Sequence, residues 1–269
     1  MPVADLHVHT TASDGTMALD DVPRAATLAE LDVVAITDHD LIHPGLSAPV
    51  TRREDITFIR GIELRVDAGS FDIDLLGYAV EPTDALVSTL ETIQQNRLER
   101  AKEIVAAVEA RLGVSLDIAY TSGVGRPHIA RAIEASDAPY AYQDAFDDLI
   151  GDDGPCFVRR AAIPSFEAGA RLLKDACAVV SLAHPFRYPH PEKALTLAAS
   201  LDAVEAYYPY DRPVDDALLW EAVEAHDLLV TGGSDAHIDV LGKETVSGAE
   251  LDRLCQRLSG SEPSTASET

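Results

Sequence analysis

Two histidines one residue apart, His7 and His9, stand in a stretch whose side chains alternate apolar and polar, Val3-Ala4-Asp5-Leu6-His7-Val8-His9. Alternation with a period of two is the mark of a β-strand, so both imidazoles point to the same side, close enough to bind one metal ion. Asp14, in the turn that follows, adds a hard oxygen donor. Similar groups recur along the chain: Asp38 with His39, Glu63, Asp74, His184, Glu205, and Asp235 with His237. Imidazole and carboxylate donors without cysteine suit borderline divalent ions, Mn2+, Zn2+ or Fe2+. A carboxylate such as Glu63 can bridge two cations ~3.5–4 Å apart. The chemistry that follows is hydrolysis, because such a centre generates hydroxide at neutral pH and neutralises charge on a phosphoryl group in flight.

These groups can meet only if distant segments end at one place. Strand-like and helix-like segments alternate along the chain. Val33-Val34-Ala35-Ile36-Thr37 is the continuous apolar run of a buried parallel strand, and it ends in Asp38-His39-Asp40. Strands are also predicted over 57–63, ending in Glu63; over 71–78, with Asp72 and Asp74 on one face; over 178–183, ending in His184-Pro185; over 202–207, carrying Glu205; and over 228–234, ending in Asp235-Ala236-His237. Helical spacing falls in 19–31, 165–176, 191–200, 213–226 and 251–258. About seven β segments with helical crossovers predict an α/β fold closed as a (β/α) barrel, whose strand ends open on one face. Five of the nine histidines lie at those ends, interleaved with carboxylates, and a sixth, His128, follows Arg126-Pro127. That concentration of donors predicts a polynuclear metal site. In the middle of the chain, 86–112 reads as one long helix stopped by Gly113, and 129–135 and 141–150 as short helices. The organisation predicted is a barrel over 1–89 and 164–258, interrupted by a helical insertion at 90–163, with a disordered Ser/Thr/Glu-rich tail at 259–269.

The 269 residues suffice for one large domain with an insertion, and the 46% hydrophobic content for a sizeable core. The net charge of −25, with 46 acidic residues against 21 basic ones, predicts a surface adapted to high salt and argues against a broad electrostatic grip on nucleic acid. Phosphate recognition is therefore expected to be local, through metal ions and a few arginines. Cys156, Cys177 and Cys255 are scattered without a Cys-x-x-Cys pair and read as free thiols in a reducing cytoplasm. Neither a signal peptide nor a run of about 18 apolar residues is present, so no membrane association is expected. There is no Walker A or Gly-x-Gly-x-x-Gly loop, which makes a nucleotide a substrate if anything.

Five blocks in order, Asp5-Leu6-His7-Val8-His9, Thr37-Asp38-His39-Asp40, Gly61-Ile62-Glu63, Ala183-His184-Pro185 and Ser234-Asp235-Ala236-His237, resemble the PHP family, the polymerase and histidinol phosphatase metallo-phosphoesterases. The resemblance covers nearly the whole chain. It implies a distorted, TIM-like (β/α)7 barrel with the helical insertion as a cap, and two to three divalent ions. By resemblance His7, His9, Glu63 and Asp235 hold one metal, and Asp14, His39, His184 and His237 another. Glu63 bridges to a third site completed by His128 and position 74, where relatives have His and this chain has Asp74. Roles in proton handling or orientation fall to Asp38, His128, His184 and His237, with Asp38 orienting rather than ligating.

The insertion, together with Arg126-Pro127-His128 and His184-Pro185-Phe186-Arg187, is similar to one branch of that family, the nucleoside 3′,5′-bisphosphate phosphatases and the 5′→3′ exoribonucleases of short RNA. The implied partner is a small phosphorylated substrate, a nucleotide or a short RNA end, without a stable nucleic-acid complex. Arg126 and Arg187, each within three residues of a ligand, are the candidate phosphate-binding residues. Glu205 reads as a second layer or polar lining, and Tyr207 and Tyr208 as base-stacking or packing residues. Three other readings stand beside this one. The first is a histidinol-phosphate-type or other small-molecule phosphomonoesterase. The second is an amidohydrolase, disfavoured by the lack of a strand-end lysine before Lys102. The third is a non-catalytic metal-binding regulatory domain, disfavoured by the full ligand set.

Overall fold

The computed structural model describes residues 1–259. Most of the expected tail, 260–269, lies outside the described residues. The strands are β1 (Val3–Val8), β2 (Val33–Ile36), β3 (Val50–Arg53), β4 (Ile56–Asp67), β5 (Asp72–Tyr78), β6 (Val179–Leu182), β7 (Ala203–Tyr207), β8 (Leu229–Gly232) and β9 (Val246–Ser247). The helices are α1 (Val22–Leu28), α2 (Asp84–Leu112), α3 (Arg126–Glu134), α4 (Tyr142–Ala145), α5 (Phe166–Lys174), α6 (Pro191–Ala198), α7 (Ala217–His226) and α8 (Gly248–Ser259).

One sheet runs β8-β7-β6-β5-β4-β2-β1-β9, with β3 paired to β4. Its ends meet where Val8 bridges Ala236, the His9 N–H donating to the Ala236 carbonyl at 3.0 Å and the Ala236 N–H to the His7 carbonyl at 3.2 Å. Seven strands thus wrap into a nearly closed barrel, the distorted TIM-like form expected. β2, β6 and β8 are buried along their whole length, because barrel side chains lie within and helices cover the outside.

The distortion sits at β4 and β5. The expected third strand stops at Glu63. The observed β4 continues through Arg65 to Asp67 and turns back at Gly69, whose φ of +90° suits glycine, into an antiparallel β5. The crossover rule therefore fails here, and a tight hairpin replaces it. The reversal has a consequence for the site. Asp74 does not stand at a strand's carboxyl end, as predicted. It lies in the first half of a reversed strand, which brings it to the same face, directly opposite Arg65 in the register. The hairpin partner β3 and the short β9, which extends β1 at its far end, were not predicted. Both are too short or too polar to show as an apolar run.

Helix α2 is 29 residues long, about 44 Å at 1.5 Å per residue. The Thr83 side chain caps its start, accepting from the Leu86 N–H, and Gly113, at φ +70°, ends it. Leu86, Leu90 and Ile93 join the barrel's apolar core. Further along, Ala101, Ile104, Val105 and Val108 join a separate core with Val124, Ile129, Ile133, Leu149, Ile150 and Cys156. One helix thus serves both packing units. The helix expected over 141–150 is α4 followed by a π-turn, Phe146–Ile150. Among the described residues no helix is long and apolar enough to cross a membrane.

Candidate metal centre

The strand alternation of β1 puts Asp5, His7 and His9 on one buried face. β2 leads into Asp38 and His39, and His39 pairs with Glu63 of β4. His184 follows β6 and Asp235 and His237 follow β8. His184 and Asp235 both have positive φ, +26° and +47°, a sparsely populated region for residues other than glycine.

Four atoms converge at the centre. His7 Nε2 lies 3.5 Å from both Glu63 Oε2 and Asp235 Oδ1, and His9 Nε2 lies 3.3 and 3.1 Å from the same two oxygens. The ligand atoms of His7, His9 and Glu63 lie within 4.8 Å of one another, as do those of His7, His184 and Asp235, so both trios are compact enough to hold a divalent ion. A second, looser set adjoins it. Asp14 lies 3.3 Å from His237 Nε2, 3.7 Å from His39 Nε2 and 4.0 Å from His9 Nδ1. His39 and His237 are partly exposed, so this set faces the opening. A third set comprises Glu63, Asp74 and His184, with His184 Nε2 at 2.9 Å from Glu63 Oε1 and 3.8 Å from Asp74 Oδ2.

This grouping departs from the expected one at four residues: His9 also lies within reach of Asp14, His39 and His237, Asp235 groups with His7 and His184, and His184 and His128 lie elsewhere than expected. His184 does not join Asp14, His39 and His237; β6 delivers it beside Glu63, Asp74 and Asp235. His128 belongs to none of the ligand groups found among the described residues. It sits in the first turn of α3, its Nδ1 accepting from the Gly125 N–H at 3.3 Å, and Asp14 is the carboxylate nearest to it in effect.

A second layer of carboxylates fixes the ring orientations. Glu205, wholly buried, accepts from His7 Nδ1 at 2.9 Å and from the His184 N–H at 2.7 Å. That leaves His7 Nε2 as the free ligand nitrogen, the usual arrangement behind a metal-bound imidazole. Asp5 accepts from the N–H groups of Ser234 and Gly242, both at 2.9 Å, and so ties the loop carrying Asp235 to β1. Asp38, counted among the catalytic candidates, has both oxygens committed: Oδ1 to the Thr10 N–H and the Ser13 hydroxyl, Oδ2 to the Thr10 hydroxyl. It holds the turn that presents Asp14.

Several buried atoms have no hydrogen-bond partner: His7 Nε2, both His9 nitrogens, Asp14 Oδ1, Glu63 Oε2 and His184 Nδ1. Buried polar atoms are rarely left unpaired, so a cluster of them facing one another calls for a cation. The electrostatics agree. Burial acts to lower the His7 and His9 pKa values, but the carboxylates outweigh it: Glu205, Asp235 and Glu63 raise His7 well above its ordinary value, and Asp235 and Glu63 raise His9 to about 10. Burial acts to raise Asp14, Glu63 and Asp235, but the surrounding imidazoles hold all three well below the carboxylate range. Protons on imidazoles stand where a metal would place its charge. The residues present fit divalent ions.

A cleft of about 600 Å³ opens beside His237 and Asp235, lined by Pro127, Tyr142, Phe186, Arg187, Tyr208 and Arg212 among others. Arg187 is half exposed, and its Nη1 donates to Asp235 Oδ2 at 2.9 Å and to the Tyr208 hydroxyl at 3.1 Å. Arg126 does not share this position. Its Nη1 donates to Asp152 at 2.6 Å and to the Ile150 carbonyl at 3.2 Å, and its guanidinium lies over Phe146 and Phe157. Arg65 was not anticipated; its guanidinium binds Asp74 through two hydrogen bonds of 2.7 and 2.6 Å. A hairpin signal, the Ala68-Gly69-Ser70 turn between two β-rich runs, was the clue available.

Comparison with known proteins places these features in context. The family model described as the PHP domain matches residues 5–258. The 3′,5′-nucleoside bisphosphate phosphatase of Chromobacterium violaceum is 30% identical, over 94% of this chain and 93% of that one. A phosphoribosyl 1,2-cyclic phosphate 1,2-diphosphodiesterase of Eggerthella lenta is 28% identical (87% and 94%), and the 5′-3′ exoribonuclease Rnm of Escherichia coli 27% identical (87% and 85%). A crystal structure from Bifidobacterium adolescentis superposes with a TM-score of 0.79 at 24% identity, over 94% of this chain and 96% of that one, and shares the fold.

Proposed function

This chain belongs to the PHP family and is a metal-dependent hydrolase of phosphoester bonds, and from that premise we propose that it removes phosphate from nucleoside 3′,5′-bisphosphates or from the 5′ ends of short oligoribonucleotides. The observation that carries the reading is the convergence of His7, His9, Glu63 and Asp235 around unpaired buried atoms, next to an aromatic-lined cleft. His7, His9, Glu63 and Asp235 hold one ion, and Asp14, His39 and His237 hold another, with manganese, zinc or iron(II) suited to such donors. When bound, divalent ions at these positions supply an activated nucleophile and a counter-charge for phosphoryl oxygens.

The chain's own residues do the rest. Arg187 stands beside Asp235 with nitrogens left over to bind a phosphoryl oxygen. His237, partly exposed, lines the cleft and joins Asp14 and His39 in the second ligand set, its Nδ1 held by the Asp235 carbonyl. Glu205, Asp5 and Asp38 hold the ligands in place. The helical segment 90–163 acts as a cap. Arg131 Nη2 donates to the Asp14 carbonyl at 2.9 Å, and Pro127 and Tyr142 form one wall of the cleft. A cleft of this volume is in the range of nucleotide-sized ligands and far larger than phosphate alone. Tyr142, Phe186, Tyr208 and Tyr210 offer faces for a base. The acidic composition supports work at high salt, where repulsion of an RNA end is screened.

The test is substrate profiling of the Mn2+-loaded protein in molar KCl. Orthophosphate release from a nucleoside 3′,5′-bisphosphate, well above that from histidinol phosphate or a cyclic diester, is expected; preference for either of the latter overturns the substrate assignment.

A further inference from the structure

The third ligand group, Glu63, Asp74 and His184, differs from the other two in what already occupies it. Arg65 and Asp74 are directly opposed in the β4–β5 hairpin, so their side chains share a face by register. Arg65 Nε donates to Asp74 Oδ1 at 2.7 Å, and Arg65 Nη2 donates to Asp74 Oδ2 at 2.6 Å. Oδ2 is also the oxygen nearest His184, at 3.8 Å. The fork is braced from behind: the Arg65 N–H donates to Asp40 Oδ1 at 3.1 Å, and the Asp74 N–H donates to the Tyr188 hydroxyl at 2.8 Å.

The contrast with the neighbouring sets is chemical. In the neighbouring sets His7 Nε2, His9 Nε2, Glu63 Oε2 and Asp14 Oδ1 are buried without hydrogen-bond partners; here both Asp74 oxygens are paired, and of the atoms facing Asp74 and Glu63, His184 Nε2 is paired with Glu63 Oε1, its Nδ1 alone being unpaired. A guanidinium is charged at every working pH and matches a carboxylate in a planar fork. To bind a metal, Asp74 would have to break a buried two-bond ion pair and leave Arg65 uncompensated beside a dication.

We propose that the guanidinium of Arg65 takes the place of a third metal ion, so that the chain binds two ions, at the His7–His9–Glu63–Asp235 and Asp14–His39–His237 sets. This inference rests on the metal-dependent reading above and sharpens it: the cation at the Glu63–Asp74–His184 corner is built into the sequence.

The experiment is metal counting by plasma mass spectrometry on the full chain, loaded with Mn2+ and freed of excess by gel filtration, with folding checked by circular dichroism. Two equivalents are expected, and Asp74→Asn is expected to keep two. Arg65→Met, which releases Asp74, is expected to raise the count towards three. Three equivalents in the parent chain, falling to two in Asp74→Asn, would overturn the proposal, as would an Arg65→Met variant that folds and still binds two. Hydrolysis is read separately: three bound ions with full phosphatase activity would refute the role of Arg65 and leave the enzyme reading intact, whereas two bound ions without hydrolysis would do the reverse.

Discussion

Glu205 is the residue whose replacement probes the second layer most sharply. It is wholly buried and divides its two oxygens between the His7 imidazole, at 2.9 Å, and the His184 backbone N–H, at 2.7 Å. Glu205→Gln preserves the shape but offers one acceptor where there were two. Either the His7 ring or the His184 N–H is left facing an amide NH2, and a buried donor without a partner costs about 1–3 kcal/mol. The bond that survives is no longer charge-assisted and is roughly half as strong. Because His7 is then neither oriented nor made more basic, metal affinity is expected to fall ~10–100-fold, or about 1.4–2.7 kcal/mol. Titration against a chelator of known affinity measures this directly. A folded Glu205→Gln protein with affinity within twofold of the parent would refute the argument that Glu205 sets the His7 ligand.

Three further outcomes follow from the same geometry. Asp38→Ala removes the acceptor for the Thr10 N–H, the Thr10 hydroxyl and the Ser13 hydroxyl; at about 1 kcal/mol each, urea unfolding should show ~3 kcal/mol lost. Arg187→Ala removes a guanidinium that contacts Asp235 from the cleft side, and steady-state kinetics should show KM raised ~10-fold or more with metal content unchanged. In the metal-free chain His9 titrates near 10, against ~6.5 when unfolded, so its stabilisation is full below about pH 6.5 and is lost as pH rises towards 10. Melting curves of the apo form should therefore decline over that window, while the stabilisation conferred by added metal grows; an apo Tm that rises from pH 7 to 9 would contradict the charge arrangement.

Much of the site was legible because barrel geometry converts strand ends into neighbours. His7, His9, His39, Glu63, Asp235 and His237 could be placed together from period-two alternation and apolar runs alone. The pairing among them could not. His184 was grouped with Asp14, whereas the actual angle of β6 around the barrel sets it against Glu63 and Asp74. Asp74 was found for an incorrect reason, since it reaches the face through a reversed strand and not at a strand's end. Arg65 was invisible because its importance depends on hairpin register, which one residue of slip would abolish. Arg126 looked like a phosphate ligand from its place beside Pro127-His128, but the acidic chain supplies it with Asp152 instead. In a protein with 46 carboxylates, nearness of an arginine to a motif says little until its partner is known.

Incubation of the Mn2+-loaded protein with adenosine 3′,5′-bisphosphate, following orthophosphate and the mononucleotide product together, tests the central claim most directly. The account predicts one equivalent of orthophosphate per substrate, abolished by chelation and restored by metal. Protein that binds its metal ions and releases no phosphate from this or any other phosphoester would contradict it.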